Sequence, residues 1–336
     1  MPNSPPSHFH RNRPRKMKST RRPKSIIFSI CFIIFLCVLA SLNQVRFDIL
    51  MSFGQCAFGN YHSDASTISS LNTTNDAEIR ILITILTLPD QYQKRHFLRL
   101  VYGVQQPLVV GARVDVKFVF CNLTKEDQRT LVALEIMHYN DIIILDCEEN
   151  MNKGKTYTLF KSLPEMFNIN DTWSDDPGRH PPYHYVMKAD DDIYIRLNSL
   201  LDSVRPLPRE DLYYGYVIPC ESMDPFQRNY MAGMGYMLSW DIVEWIGESE
   251  LAKSLLVGPE DQVLGRWMRD GQRGKNRFNA KWAMYNFPGT EPTKCSHEFR
   301  PDTIAVHLLK NQERWIQTLN YFNVTSNLKP SKLYHI

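Results

Sequence analysis

The feature that most constrains this chain is the apolar run Tyr185-Val186-Met187-Lys188-Ala189, which ends on three consecutive acids, Asp190-Asp191-Asp192, followed by the β-favouring Ile193-Tyr194-Ile195. Three acids in a row are ordinarily a solvated turn. Here an apolar strand delivers three like charges to its carboxyl end, and the simplest relief of that repulsion is a divalent cation. A fold that can bury such a strand and open its end to a ligand is required.

A second feature lies near the amino end. Residues 25–42 are uncharged and mostly apolar, close to the shortest length, about 17 residues, that spans a bilayer as a helix. Residues 1–24 carry eight Lys and Arg and no acid, and residues 47–79 carry no Lys or Arg. The asymmetry predicts a signal anchor with a basic cytosolic tail at 1–24, a transmembrane segment at 25–42 and everything later on the other side. Residues 43–77, rich in Ser, Asn and Thr without a sustained period, read as a stem, and 78–336 as the folded lumenal domain.

The formal net charge of +3 hides this division. Nine of the 39 Lys and Arg precede residue 47 and none of the 36 acids does, so residues 47–336 hold 30 bases against 36 acids, a formal −6. An acidic body gives no support to a nucleic-acid partner. Glycosylation sequons begin at Asn72, Asn122, Asn170 and Asn323, all after the apolar run, in keeping with a lumenal body. Five cysteines follow the run, Cys56, Cys121, Cys147, Cys220 and Cys295; their pairing is open, and an intermolecular bridge through Cys56 would make a homodimer through the stem.

Apolar runs at Ile79–Leu88, Val114–Phe120, Ile142–Leu145, Tyr183–Met187 and Leu212–Ile218 read as strands. Helical patterns alternate with them. Thr124-Lys125-Glu126-Asp127 approximates a capping box ahead of Leu131, Leu134 and Ile136, and Leu197, Leu200, Leu201 and Val204 trace an apolar stripe. The alternation predicts an α/β domain with a mainly parallel sheet and ligands at the carboxyl ends of its strands. The acidic triplet sits at such an end.

Gly258-Pro259-Glu260-Asp261 opens a helix running through Val263, Leu264, Trp267 and Met268 to Gly271. Acids in a first helical turn commonly just complement the dipole; a carboxylate there also suits a general base for a sugar hydroxyl. Between triplet and helix, Gly233 and Gly235 let backbone approach a ligand closely, or form a tight turn into a helix over Asp241–Glu248. Trp240 and Trp245 offer flat faces, Trp245 being the better candidate for the core. The basic stretch Arg273–Arg277 reads as a solvated face or as a lid over a diphosphate.

In order, these motifs resemble glycosyltransferase family 31, inverting β-1,3-glycosyltransferases of the secretory pathway. The resemblance covers about residues 78–310. It rests on Arg95-His96-Phe97-Leu98-Arg99, on Lys188-Ala189-Asp190-Asp191-Asp192, on Gly233-Met234-Gly235-Tyr236 and on Glu260-Asp261-Gln262-Val263-Leu264-Gly265. It implies a GT-A fold, a Rossmann-like mixed sheet flanked by helices, and a UDP-sugar donor held with Mn²⁺, Mg²⁺ being a substitute. By position Asp192 would be the direct metal ligand, with Asp190 and Asp191 orienting metal and ribose and His307 completing the site. Arg95, Arg99, Lys188, Gly233 and Gly235 would serve the donor, Asp261 would be the general base and Glu260 its support.

The same resemblance implies a glycan acceptor and a Golgi membrane protein of single-pass type II topology, transferring galactose or N-acetylglucosamine. The alternative is a GT-A domain without turnover that binds glycans or a partner. Three departures from the pattern stand out. Val101-Tyr102 replaces Thr-Trp, Glu149–Thr156 keeps an Asp-x-Tyr-x-Asn-Leu-Thr-x-Lys-Thr stretch only in outline, and Gln262 stands where valine is common.

Overall fold

The structure, a computed structural model, describes residues 78–167, 181–226 and 230–334. The predicted tail, membrane segment and stem, Cys56, and the sequons at Asn72 and Asn170 lie outside the described residues. Among the described residues no helix is long and apolar enough to cross a membrane.

Seven strands form the main sheet. In chain order they are β1 (Ile79–Leu86), β2 (Ala112–Cys121), β3 (Ile142–Leu145), β4 (Tyr185–Asp190), β6 (Leu212–Ile218), β7 (Tyr230–Ser239) and β8 (Asn276–Asn279), arranged β3-β2-β1-β4-β7-β6-β8. The first four in that order run parallel, and β7 alone is antiparallel to both its neighbours. A second sheet is β5 (Tyr194–Ile195), β10 (Ala305–His307) and β9 (Met284–Asn286), with β10 in the middle.

Burial on both faces explains why the strands read as continuous apolar runs. On β1, Ile79, Ile81, Ile83 and Ile85 enter one core, and Leu82 and Leu86 enter the other. The first core is closed by Leu98 and Val101 of α1 (Tyr92–Gly103) and by the stripe Leu197, Leu200, Leu201 and Val204 of α4 (Leu197–Val204). The second is closed by α3 (Lys155–Phe167), α5 (Trp240–Glu248), α6 (Glu250–Ser254) through Ala252, and α7 (Glu260–Asp270) through Val263, Leu264, Trp267 and Met268. The α/β expectation with a parallel-rich sheet is met.

Two local expectations are corrected. The helix after Lys125 forms, as α2 (Glu126–Tyr139), and Gln128 Oε1 accepts from the backbone N–H groups of Thr124 and Lys125. Its apolar residues Leu131, Leu134 and Ile136 nevertheless face outward, and the side facing the protein holds Val132 and Gln128. The glycine-containing stretch 231–239 is a central strand rather than a turn. Its glycines answer to close packing: a Cβ on Gly235 would lie 2.9 Å from Met187 Cε, and one on Gly233 would lie 2.6 Å from Glu260 Oε1.

Candidate active site

The parallel strands β1 and β4, together with β9 and β10, all end at one edge of the molecule, and antiparallel β7 begins there. Asp190 closes β4, Asn286 closes β9 and His307 closes β10. Asp190, Asp192 and His307 each offer one atom to a group whose members lie within 4.8 Å of one another. His307 Nε2 is 3.2 Å from Asp192 Oδ1 and 3.5 Å from Asp190 Oδ2. Its Nδ1 is 2.9 Å from Asn286 Oδ1, which fixes the ring's orientation and leaves Nε2 aimed at the carboxylates.

Charge is balanced closely here. Burial pushes the Asp190 and Asp192 carboxyls up, but Lys188 and His307 bring Asp190 below its ordinary value, and His307 and Lys310 bring Asp192 well below it. Burial pushes the His307 imidazole down, and the two carboxylates more than offset this, leaving it raised. Lys310 Nζ lies 2.6 Å from the buried Asp192 Oδ2, yet the pair lacks hydrogen-bond alignment. Leu308 turns the chain to bring that lysine back, at a φ of 61°, a left-handed value that costs a non-glycine residue about 1–2 kcal/mol. Two carboxylates and an imidazole, one oxygen of them lacking an aligned donor, fit a divalent cation.

Asp191 points elsewhere, accepting from Thr87 Oγ1 and Lys94 Nζ, each at 2.9 Å. Lys188 is fully buried and donates to Asp190 Oδ1 at 2.7 Å, to Glu260 Oε1 at 2.8 Å and to the Gly233 carbonyl. The hydroxyl of Tyr236 donates to the other Glu260 oxygen at 2.7 Å. Burial raises the Glu260 carboxyl even so. Asp261 is held by the N–H groups of Gly233, 3.0 Å from Oδ2, and of Gln262, 2.8 Å from Oδ1. Asp190, His307, Gly233 and Asp261 line one cleft of about 520 Å³.

Several sequence-predicted residues stand away from that cleft. Arg95 is wholly buried: it donates to both Glu135 oxygens and to the carbonyls of Leu88 and Pro89, so no face remains for a donor substrate. Arg99 is engaged by Asp141 and Glu135. These two arginines clamp α1 to α2 and to the start of β3; they are corrected from donor ligands to structural residues. Gly235 faces Met187 and Ile193 in the core, which removes it from the donor as well.

Trp240 is buried at the far end of β7, and Trp245 is partly buried beside Arg273, so neither presents a face to the carboxylates and the core residue is Trp240. The basic stretch 273–277 leads into edge strand β8, paired with the start of β6 at the opposite end of the sheet from Asp190. Gly274 and Lys275 donate there to Asp211. The lid over a diphosphate is ruled out by that placement.

Sequence reasoning passed over Asn286, Lys310, Thr87 and Lys94, whose roles depend on distant strands meeting. Tyr102 takes up one departure from the pattern, its hydroxyl donating to the Ile193 carbonyl at 3.0 Å. Lys155, in the stretch kept only in outline, is buried and donates to the Thr87 carbonyl at 3.0 Å and to Glu149.

Known proteins resemble this chain over part of its length. The family model described as Galactosyltransferase matches residues 93–227, which include the triplet and stop short of Gly233, Asp261 and His307. A β-1,3-galactosyltransferase of Schizosaccharomyces pombe is 22% identical over 295 residues, 75% of this chain and 77% of that protein. The human lactosylceramide 1,3-N-acetyl-β-D-glucosaminyltransferase is 23% identical over 212 residues, so the chain covers 53% of its length. Among solved structures, the galactosyltransferase LgtC with donor and acceptor sugar analogs is similar at 14% identity and a TM-score of 0.40, over 76% of this chain and 98% of that one. With its acidic group at the end of β4, the chain carries a galactosyltransferase family domain over residues 93–227 and is similar beyond it to hexosyltransferases, the β-1,3-galactosyl- and N-acetylglucosaminyltransferases named above.

Proposed function

We propose that this protein is a metal-dependent inverting glycosyltransferase of GT-A type, moving a hexose from a UDP-sugar to a glycan acceptor in β-1,3 linkage. Galactose is the first choice of donor sugar and N-acetylglucosamine the second, in line with the two relatives' names. The observation that carries the reading is the group formed by Asp190, Asp192 and His307, of which Asp190 and His307 line one cleft together with Asp261.

Asp190, Asp192 and His307 would hold the cation, Mn²⁺ first and Mg²⁺ as a substitute, which when bound neutralises charge growing on the departing diphosphate. Asp261, oriented by two backbone N–H donors, takes the proton of the acceptor hydroxyl. The hydroxyl oxygen then bonds to the anomeric carbon as the bond to the UDP oxygen breaks, and displacement from the opposite face turns an α-linked donor into a β product. Lys188 and Tyr236 fix Glu260, whose carboxylate abuts Gly233, so the base helix and the end of β4 keep one register.

The proposed setting is the Golgi membrane, type II and single-pass, with the folded domain lumenal. Disulfides Cys121–Cys147 and Cys220–Cys295 suit an oxidising compartment. A domain without turnover is disfavoured, since the acids, the imidazole and the base position are all filled.

The test is release of UDP from UDP-galactose and UDP-N-acetylglucosamine by the full chain, with and without Mn²⁺. Manganese-dependent release that falls about a hundredfold or more in Asp192→Asn is expected. Release that proceeds equally in the presence of a chelator would sink the metal assignment.

A further inference from the structure

The cleft beyond the carboxylates is built from apolar surface: Ile218 and Pro219 after β6, Tyr230, Ala232 and Met234 along β7, and Pro292 opposite. Tyr230 is the one aromatic ring among these residues, and its placement is enforced twice. Below it lies Gly265 of α7, where a Cβ would fall 2.5 Å from Tyr230 Cβ, so strand and helix pack as closely as they do only because residue 265 lacks a side chain. Above, the amide of Gln262 donates to the Tyr230 hydroxyl at 3.3 Å. Gln262 is the neighbour of Asp261, and its own backbone N–H holds that carboxylate. Ring, clamp and base therefore form one rigid unit at the start of α7.

An aromatic face beside a carboxylate, in a cleft of several hundred Å³, matches a sugar ring, which has an apolar C–H face and a polar rim. We propose that Tyr230, clamped by Gln262, is the platform on which the acceptor saccharide stacks, presenting its hydroxyl to Asp261. Gln262 is then a positioning residue that acts through Tyr230. This inference rests on the glycosyltransferase reading and deepens it by assigning the acceptor's place.

The experiment uses the full chain with UDP-galactose and UDP-N-acetylglucosamine as donors and lactose, benzyl β-galactoside and benzyl β-N-acetylglucosaminide as acceptor probes. Tyr230→Ala is expected to raise the acceptor KM about tenfold or more, the scale of one lost stacking platform. Its donor KM should stay within about twofold of the parent's. Tyr230→Phe and Gln262→Val, which each remove the clamp and keep the ring, should each raise the acceptor KM by about two- to threefold and the double variant no further, the signature of one shared interaction.

An unchanged acceptor KM in Tyr230→Ala overturns the proposal, as does a donor KM that rises in step. Should the parent protein turn over neither donor, the glycosyltransferase reading fails on its own, and saturation-transfer NMR with the same saccharides decides the platform separately. A saturation-transfer signal that vanishes in Tyr230→Ala and persists in Tyr230→Phe supports it; no signal with the folded parent overturns it.

Discussion

Glu135 decides how two arginines are used. Its carboxylate accepts from Arg95 and forms an ion pair with Arg99 at 2.7 Å, with only 12% of its side chain exposed, so the Arg-x-x-x-Arg element is consumed inside the protein. Burial pushes the Glu135 carboxyl up, and the two guanidiniums more than reverse this, leaving it below its ordinary value. A carboxyl depressed in the folded state contributes stability that is present above the unfolded value, near pH 4.3, and lost as pH falls through the folded one. Glu135→Gln, which leaves Arg95 buried against an uncharged partner, is therefore expected to cost about 3 kcal/mol at pH 7. The gap between variant and parent should narrow below about pH 4, where the parent's carboxyl protonates too. Denaturant melts at pH 7 and pH 3.5 measure both; a gap that stays constant across that range would show that the ion pair contributes nothing to stability.

At the scale of elements, β7 and α7 meet through residues that have little or no side chain. Gly233 admits the Glu260 carboxylate, and Gly265 admits Tyr230. Gly265→Ala would place a methyl 2.5 Å from Tyr230 Cβ and 3.6 Å from its Cα, positions that move only if strand or helix moves. The expected cost is about 1–3 kcal/mol, read as a Tm lower by several degrees, together with a loss of transfer because Asp261 rides on the same helix. Gly103→Ala, at the end of α1 with nothing within 4 Å of the new Cβ, is the control and should be neutral or slightly stabilising. Equal melting temperatures for the two variants would refute the close-packing account. The same pair of elements shows where the sequence was readable. Helix α7 was legible from Pro259 onward because one apolar stripe fixes a helix face, and β3 and β6 were legible as short apolar runs between turn residues. Strand β7 was not, because glycines serve turns and close packing alike and only the partner across the gap tells which. The outward face of α2 was missed for a related reason: periodicity marks a stripe, and Gln128 with its two backbone contacts, not Leu131 or Leu134, set which side turns in. Asp190, Asp192 and His307 were readable as residue types, but the Asn286 contact comes from β9 meeting β10, a pairing with no local mark.

At the scale of the whole molecule, the cleft joins two layers of different construction. One wall is the main sheet with α7, and the other is the small sheet of β9 and β10 with the loops that flank it. Cys220, just past β6, is bonded to Cys295, midway along the connection from β9 to β10, across 75 residues, and both cysteines line the cleft. Cys121–Cys147 closes only 26 residues, between the ends of β2 and β3 on the other flank. If each bond acts by restricting the unfolded chain, the longer loop contributes more, by (3/2)RT times the logarithm of the length ratio, or about 1 kcal/mol. Replacing both members of each pair by serine tests this without leaving a free thiol. Both double variants should be less stable, by about 2–4 kcal/mol, with the Cys220/Cys295 variant the worse of the two. Function separates them further, since only the Cys220/Cys295 bond ties the wall carrying Pro292 to the wall carrying Ile218 and Tyr230. That variant is expected to raise the acceptor KM while leaving the donor KM alone, and the Cys121/Cys147 variant to change stability without changing the acceptor. An acceptor KM that moved equally in both would mean that the cleft follows general loosening of the fold, and that its second wall is not held by the bond beside it.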